Sequence, residues 1–252
     1  MKIIFRILPL FAISGALFLS SAALADDFEE ALRAQMANQD KKAARLYASA
    51  CNAGHAVACH HLARQYEQAE GVPRDRRRSA TLHEKACNGD NGESCQALAK
   101  MYKFGEGVRK DAEKSRQLYE KANRLYAKSC DIGNGEACHL LGLIHQRGEN
   151  VKANLKQALQ LFEKACDSDS GKACRRLGEM HEGNDIVAED RKKALSYYEK
   201  GCEKDDGHSC LNAGLFYFGG KWVLQDFTKA EIYMQKGCKL ASEAKMCHGS
   251  GN

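Results

Sequence analysis

Cysteine pairs recur along the chain at a nearly fixed interval, and no other feature of the sequence restricts the possible fold as strongly. Five pairs are separated by eight positions and the last by nine, and the first members of successive pairs lie 36, 43, 36, 36 and 36 residues apart. An interval of this size indicates an array built from one repeated supersecondary unit. The pairs are Cys51 and Cys59, Cys87 and Cys95, Cys130 and Cys138, Cys166 and Cys174, Cys202 and Cys210, and Cys238 and Cys247.

The residues that follow each pair predict the repeated unit. Apolar or small residues recur three, four and seven positions after the second cysteine, as Leu98, Ala99 and Tyr102 do after Cys95. This spacing marks one face of an α-helix. Residues of the kinds that cap helix N-termini follow sixteen positions after the second cysteine, before a second apolar face: Asp75, Asp111, Asn154, Asp190 and Asp226. Because stacked helix pairs bury a continuous core, we predict an all-α fold, an α/α solenoid of helix-turn-helix repeats of about 36 residues.

The single longer interval predicts an insertion within a helix. Leu118-Tyr119 is repeated seven residues later as Leu125-Tyr126, and Asn123 stands where an unextended repeat would have its first cysteine. Seven residues make about two helical turns and rotate the apolar face by only about 20°. We therefore expect a seven-residue helix insertion near 124–130 that leaves the buried side of the helix buried.

The cysteine pairs are expected to form disulfides. Two cysteines eight apart in a continuous helix would stand about 12 Å apart along its axis, whereas a disulfide needs Cα atoms within roughly 7 Å. The intervening segments, such as "NGDNGES" and "DIGNGEA", are rich in turn-forming residues. Each pair should therefore cross-link the second helix of one repeat to the first helix of the next. A zinc site would use closer cysteine spacing, and no C-x-x-C occurs, so we expect no metal.

The first 25 residues predict a signal peptide. Lys2 and Arg6 flank the start of an apolar stretch, and Ala23-Leu24-Ala25 has the small residues of a cleavage site. We assign 1–25 to a signal peptide that is removed and 26–252 to the solenoid; an uncleaved anchor is the alternative. No second stretch is long enough to span a bilayer, so we expect a soluble periplasmic or secreted protein with no membrane span after signal cleavage.

Charge and motifs exclude several classes of function. A formal net charge of +5, spread along the chain, does not indicate a nucleic-acid partner. Serine β-lactamases use S-x-x-K with S-D-N and K-T-G; here the only S-x-x-K is Ser242-Glu243-Ala244-Lys245, and the other two motifs are absent. Catalytic residues are therefore unknown, and no cofactor is expected.

The histidines are interpreted as packing residues. His145 and His181 occupy a position that holds tyrosine in the other repeats. The adjacent pair His60-His61 should point in different directions on a helix, which argues against a shared metal.

The segment "CQALAKMYKFGEGVRKDAEKSRQLYEKA" (95–122) resembles Sel1-like repeats. With a signal peptide and one cysteine pair per repeat, the chain also resembles the Helicobacter cysteine-rich protein family, although the loops at 148–150 and 184–186 lack the G-x-G pattern. The resemblance to Sel1-like repeats implies a scaffold for protein–protein contact. The resemblance to the cysteine-rich family implies slow β-lactamase activity on penicillin-like compounds.

Three hypotheses about function stay open at this point. The first is a binding module whose solenoid groove takes a protein or peptide partner, with cell-wall or β-lactam-like material as other ligands. The second is an enzyme, a weak β-lactamase or penicillin-binding hydrolase. The third is a thiol-reactive or cofactor-carrying assembly factor.

Overall fold

The structure is a computed structural model that describes residues 27–183 and 188–241 together with Cys247. Within these residues it contains twelve α-helices and no β-strand, which confirms the predicted all-α class. In chain order the helices are α1 (27–36), α2 (Asp40–Asn52), α3 (Ala56–Gln68), α4 (Arg76–Asn88), α5 (Gly92–Phe104), α6 (Ala112–Asp131), α7 (Gly135–Arg147), α8 (Leu155–Asp167), α9 (Gly171–His181), α10 (Arg191–Glu203), α11 (Gly207–Gly219) and α12 (Phe227–Leu240). The predicted signal peptide at 1–25 lies outside the described residues.

The described residues form two compact units, the first ending at Ala122 and the second beginning at Asn123. In the first unit α2 packs on α3, α3 on α4, and α4 on α5. In the second unit each of α7 to α11 packs on the next helix, and α9 also contacts α7 and α11. The first helices of successive repeats in this unit therefore stack on one another, as the solenoid prediction requires. No helix of the described ranges has the length and apolarity to cross a membrane.

The second helix of each repeat begins at the capping residue that the sequence predicts. The side chains of the five capping residues accept a hydrogen bond from the backbone N–H three residues on, over 2.9 or 3.0 Å. These bonds satisfy N–H groups that have no partner inside a helix. The capping residues are Asp75, Asp111, Asn154, Asp190 and Asp226.

Disulfides close every turn between repeats. In the five pairs separated by eight residues, the Cα atoms lie 4.5 to 4.7 Å apart, and in the last pair, Cys238 and Cys247, they lie 5.3 Å apart. Cys166, for example, lies at the end of α8, and Cys174 lies at the start of α9. No cysteine in the described part of the chain is free. Closing a loop of this length stabilises the fold by about 2.5 kcal/mol in the chain-entropy description.

The helices of a repeat approach closely because a small residue faces an aromatic ring. A Cβ atom at Gly178 would lie 2.5 Å from the ring of Tyr198, and one at Gly142 would lie 2.6 Å from the ring of Phe162. Both rings are fully buried. The small residue four positions after the second cysteine therefore determines how near the second helix can pack.

Helix α6 is longer than the other second helices. It has 20 residues, whereas α4, α8 and α10 have 13 each. Tyr119 and Tyr126, which are seven residues apart, are both buried, at 4% and 5% exposure, each in its own unit. The additional length is that of the segment 124–130, whose origin by insertion stays a prediction.

Two histidines, the half-buried His61 and the buried His139, have unusually low pKa values. Burial lowers the pKa of His61 and of His139 to about 4. Near His139, Lys172 adds to this effect and Glu136 opposes it. Between pH 4 and about 6.5 these two side chains therefore bind fewer protons in the folded protein than in the unfolded chain, so their contribution lowers the free energy of unfolding as the pH falls through this interval.

We expect Gly178→Ala to lower the free energy of unfolding by about 1–3 kcal/mol, because the added methyl group overlaps the buried Tyr198 ring. Urea unfolding followed by circular dichroism measures the change. Gly219→Ala is the matched control, since no atom lies within 4 Å of a Cβ built at that position. Equal unfolding midpoints for the two variants would contradict this description of the packing.

We expect His139→Leu to reduce the loss of stability in acid. Leucine occupies the equivalent position at Leu211, and it has no charge to gain as the pH falls. Between pH 7.5 and pH 4.5 the variant should lose about 1 kcal/mol less than the unmodified protein, a figure reduced for partial exposure. Substitution of the exposed His208 by glutamine should leave the pH dependence unchanged. Parallel curves for the unmodified protein and His139→Leu would show that His139 does not carry the effect.

Candidate protein-binding surface

Exposed apolar side chains are concentrated in the last described repeat. Of the twelve large apolar side chains that are exposed in the described residues, seven lie between positions 215 and 240. Scattered exposed apolar residues need no explanation, but a concentration of them indicates an interaction site. The seven are Leu215, Phe218, Trp222, Leu224, Phe227, Ile232 and Leu240.

Four of these residues, Leu215, Phe218, Leu224 and Phe227, define what we call the last-repeat patch. The rings of Phe218 and Phe227 are in contact, edge to face, with centroids 5.7 Å apart, and their side chains are 55% and 59% exposed. Leu215 lies one turn before Phe218 on α11, and therefore on the same face. Leu224 precedes α12 and is 91% exposed. Two aromatic rings that pack together and still face solvent can serve as anchors for a partner.

The last repeat has apolar residues at two exposed positions that are polar in the earlier repeats, and one of them, Phe218, belongs to the patch. Phe218 lies eight residues after the second cysteine of its pair, and Ile232 lies twenty-two residues after it. The earlier repeats have Glu67, Lys103, Gln146 and Glu182 at the first of these positions. They have Thr81, Gln117, Gln160 and Ser196 at the second. Packing of the repeat therefore does not require an apolar residue at either position.

The loop between α11 and α12 is anchored to the end of α11. The side-chain amide of Gln225 donates to the carbonyl oxygen of Phe218 over 2.8 Å, and the backbone N–H of Asp226 donates to the carbonyl of Tyr217 over 3.1 Å. These two bonds hold the two residues that follow Leu224 in place. The exposed leucine is thus presented by a fixed backbone, which reduces the entropy that a partner must remove.

Cations lie over the aromatic rings of Trp222 and Tyr217, which are close in sequence to the patch residues. The Lys221 ammonium lies 4.6 Å from the centroid of the Trp222 ring, and the Arg191 guanidinium lies 5.1 Å from it. The Lys229 ammonium lies 4.9 Å from the Tyr217 ring. Such contacts hold cations beside aromatic faces. The surface can therefore bind an apolar side chain next to an acidic one.

None of the residues singled out from the sequence belongs to the last-repeat patch. The disulfide cysteines that are described are buried, except that Cys238 and Cys247 are half-buried. Ser242-Glu243-Ala244-Lys245 lies outside the described residues. His181 is 7% exposed and stacks on Tyr197 with centroids 5.6 Å apart, so it is a packing residue.

The adjacent histidines His60 and His61 point in different directions. Their rings are perpendicular, with centroids 5.8 Å apart, and His61 stacks on Tyr47 at 5.0 Å. Within the described ranges, no group of three or more histidine, cysteine, aspartate or glutamate side chains is arranged to hold a metal ion.

Sequence reasoning missed the last-repeat patch. A signal exists for one of its members, because aligning the repeats position by position shows apolar residues replacing polar ones at Phe218 and, outside the patch, at Ile232. Composition and periodicity do not reveal it, since both residues extend apolar runs that a helix of the core would also have.

The chain matches the Sel1 repeat model over residues 35–55, 56–91, 92–133, 135–170, 171–206 and 207–242. A Sel1 repeat protein from Oxalobacter formigenes is 21% identical, with 84% of each chain covered and a TM-score of 0.63. An immunity protein from Pseudomonas aeruginosa is 20% identical, with 88% of this chain and 83% of that chain covered and a TM-score of 0.62. Helicobacter pylori cysteine rich protein B is 29% identical, with 55% of this chain and 96% of that chain covered and a TM-score of 0.43.

No curated protein matches the chain. The likeness to the first two solved structures shows the fold, and the family model covers most of the sequence. The chain belongs to the Sel1 repeat family.

Proposed function

We propose that this protein is an exported scaffold that binds a protein or peptide partner through its last repeat. Sel1 repeats are protein-interaction modules. The observation that carries the proposal is the pair Phe218 and Phe227, which are in contact and more than half exposed. The earlier repeats have polar residues at the position of Phe218, so folding of the repeat does not require an aromatic residue there, and we assign it to partner binding.

The bridges between repeats support export. Six disulfides persist in an oxidising compartment and are rare in a reducing cytosol. The pattern at 1–25 is that of a secretory signal. We therefore assign the protein to the periplasm or the extracellular medium.

The apolar and cationic side chains of the last repeat indicate what kind of partner this surface can bind. Burying a phenylalanine side chain that is otherwise exposed contributes about 1.5–3 kcal/mol, less in proportion to the burial already present. Lys221 lies over the Trp222 ring and Lys229 over the Tyr217 ring, and these two cations favour acidic side chains on the partner, chiefly by raising the rate of association. A peptide with apolar side chains next to aspartate or glutamate fits this surface.

Hydrolysis of β-lactams is the alternative that the resemblance to the cysteine-rich family implies. The candidate Ser242 and Lys245 lie outside the described residues, and no contact among the described side chains favours this reaction. Turnover of a chromogenic cephalosporin by the purified protein would establish the activity independently of the binding surface.

The proposal is tested by capturing partners with and without the patch. Tagged protein is expressed in its native host, chemically crosslinked in place, and purified for mass spectrometry. We expect the unmodified protein to capture a specific partner. The double variant Phe218→Glu, Phe227→Glu should recover at least about tenfold less of that partner, which corresponds to a loss of about 1.4 kcal/mol or more in binding free energy.

Phe104→Glu is the matched control, because Phe104 is 66% exposed in the other unit and carries a similar lysine contact, Lys103 at 5.6 Å. It should recover the partner as well as the unmodified protein does. Equal recovery by the double variant, or no specific partner with the unmodified protein, would overturn the proposal.

A further inference from the structure

Two buried histidines of the first unit share one serine hydroxyl. His60 Nδ1 lies 2.8 Å from Ser94 Oγ, and His83 Nδ1 lies 3.1 Å from the same oxygen. Ser94 and His83 are fully buried and His60 is 7% exposed. Because water does not reach the shared oxygen, these three groups must satisfy one another.

The outer nitrogen of each ring faces a carboxylate. His60 Nε2 lies 3.2 Å from Glu93 Oε2, and His83 Nε2 lies 3.2 Å from Glu67 Oε1. The hydrogen bond from His60 lowers the pKa of Glu93, in spite of burial. Burial raises the pKa of Glu67, but hydrogen bonds from His83 and Ser79 outweigh it and the pKa is lowered. An ionised carboxylate only accepts, so each Nε2 carries a proton.

Counting protons shows that two neutral rings do not fit this arrangement. A neutral ring with its proton on Nε2 has a bare Nδ1 that can only accept, and Ser94 has one hydroxyl proton to give. One of the two Nδ1 atoms would then face the serine oxygen with no proton between them. If one ring is an imidazolium, its Nδ1–H donates to Ser94 Oγ, Ser94 donates to the other ring, and every group is paired.

We propose that His60, Ser94 and His83, with Glu67 and Glu93, form a buried proton-binding site that holds one proton more than two neutral imidazoles. The proton can pass between the rings through the serine. The imidazolium Nδ1–H bond breaks as an Oγ–H bond forms, and the original Oγ–H proton moves to the other Nδ1. The serine hydroxyl is regenerated and the net charge of the group is unchanged.

The surrounding charges favour one such proton and disfavour a second. Glu67 and Glu93 attract the first positive charge, and no other acidic group acts on this cluster from α3, α4 or α5 in the contacts described. Arg64 on α3 lies close enough to lower the pKa of Glu93, and it repels a second imidazolium. His61 and His55 complete the titratable neighbours; burial keeps His61 neutral by lowering its pKa to about 4.

The site is not a requirement of the repeat. His83 lies four residues before the first cysteine of its pair, a position that holds Tyr47, Phe162 and Tyr198 in other repeats. The network joins α3, α4 and α5 and thus connects two successive repeats. Loss of the proton leaves two acceptors in contact, so the junction should weaken as the pH rises.

The direction of the pH effect follows from the proton count. In the unfolded chain, histidine loses its proton near pH 6.5, whereas the folded network keeps one above that value. Above pH 6.5 the folded state therefore binds more protons than the unfolded chain, so the stability that the network contributes is lost as the pH rises until the network releases its proton. Below pH 6.5 both histidines of the unfolded chain take up protons while the folded network holds one, so the contribution also falls in acid.

The test measures ring protonation in the full-length mature protein labelled with 15N-histidine. Long-range 1H–15N spectra are recorded at pH 7.5, where an ordinary histidine is about nine-tenths neutral. The nitrogen chemical shifts of His60 and His83, taken together, should correspond to one imidazolium and one neutral ring. In His83→Phe, His60 should become a neutral ring with its proton on Nε2. Two neutral rings at pH 7.5 in the unmodified protein would overturn the proposal, and this readout needs no variant to fold.

A second measurement uses unfolding equilibria. The unfolding constant of His83→Phe divided by that of the unmodified protein measures how much the network stabilises the fold. This ratio should fall about tenfold between pH 6.5 and pH 8, the change expected from nearly one linked proton. His208→Gln, which removes an exposed histidine of the other unit, should follow the unmodified protein. An advantage that does not change with pH would contradict the proposal.

Discussion

A disulfide across each turn between repeats is the constraint on which the rest of this structure depends. A bridge that holds two Cα atoms 4.5 to 4.7 Å apart requires the chain to reverse direction between the two cysteines. That reversal places the first helix of one repeat against the second helix of the repeat before it. Glycine or alanine four residues later then lets the helices approach, and the capping residue after the loop starts the next helix.

Most of this architecture can be predicted from the sequence because each of its parts is local and periodic. Capping, small-residue packing and disulfide pairing each depend on residues less than about a repeat apart, and each occurs five times or more along the chain. A single occurrence of Asp190 or Gly178 would say little. The same residue types recur at the same position of each repeat, and each occurrence favours the same stack of helix pairs. Many weak local preferences therefore specify one fold.

The two functional features could not be predicted in the same way because they are departures from the repeat. Phe218 and Phe227 look like core residues in a sequence, and only the folded chain shows that their rings remain exposed. In the proton site His60 contacts Ser94, which is 34 residues further along the chain. The sequence instead suggests His61 as the partner of His60, because the two histidines are adjacent, but their rings point in different directions. Hydrogen-bond networks between helices depend on side-chain directions that a pattern of residue types does not contain.

These departures divide the chain by role. In the first unit, His83 replaces an aromatic core residue and, with His60 and Ser94, binds a proton between repeats. In the second unit, apolar residues replace polar surface residues and offer a site for a partner. The regular positions of both units are accounted for by packing, which leaves the irregular ones to carry what distinguishes this protein from a generic Sel1 repeat array.

Peptide mapping by mass spectrometry of the unreduced, exported protein tests the central claim most directly. The account predicts six intrachain bridges, each joining a cysteine to the next one along the chain, and no free thiol. Free thiols at these cysteines, bound zinc, or bridges between cysteines of different pairs would contradict it.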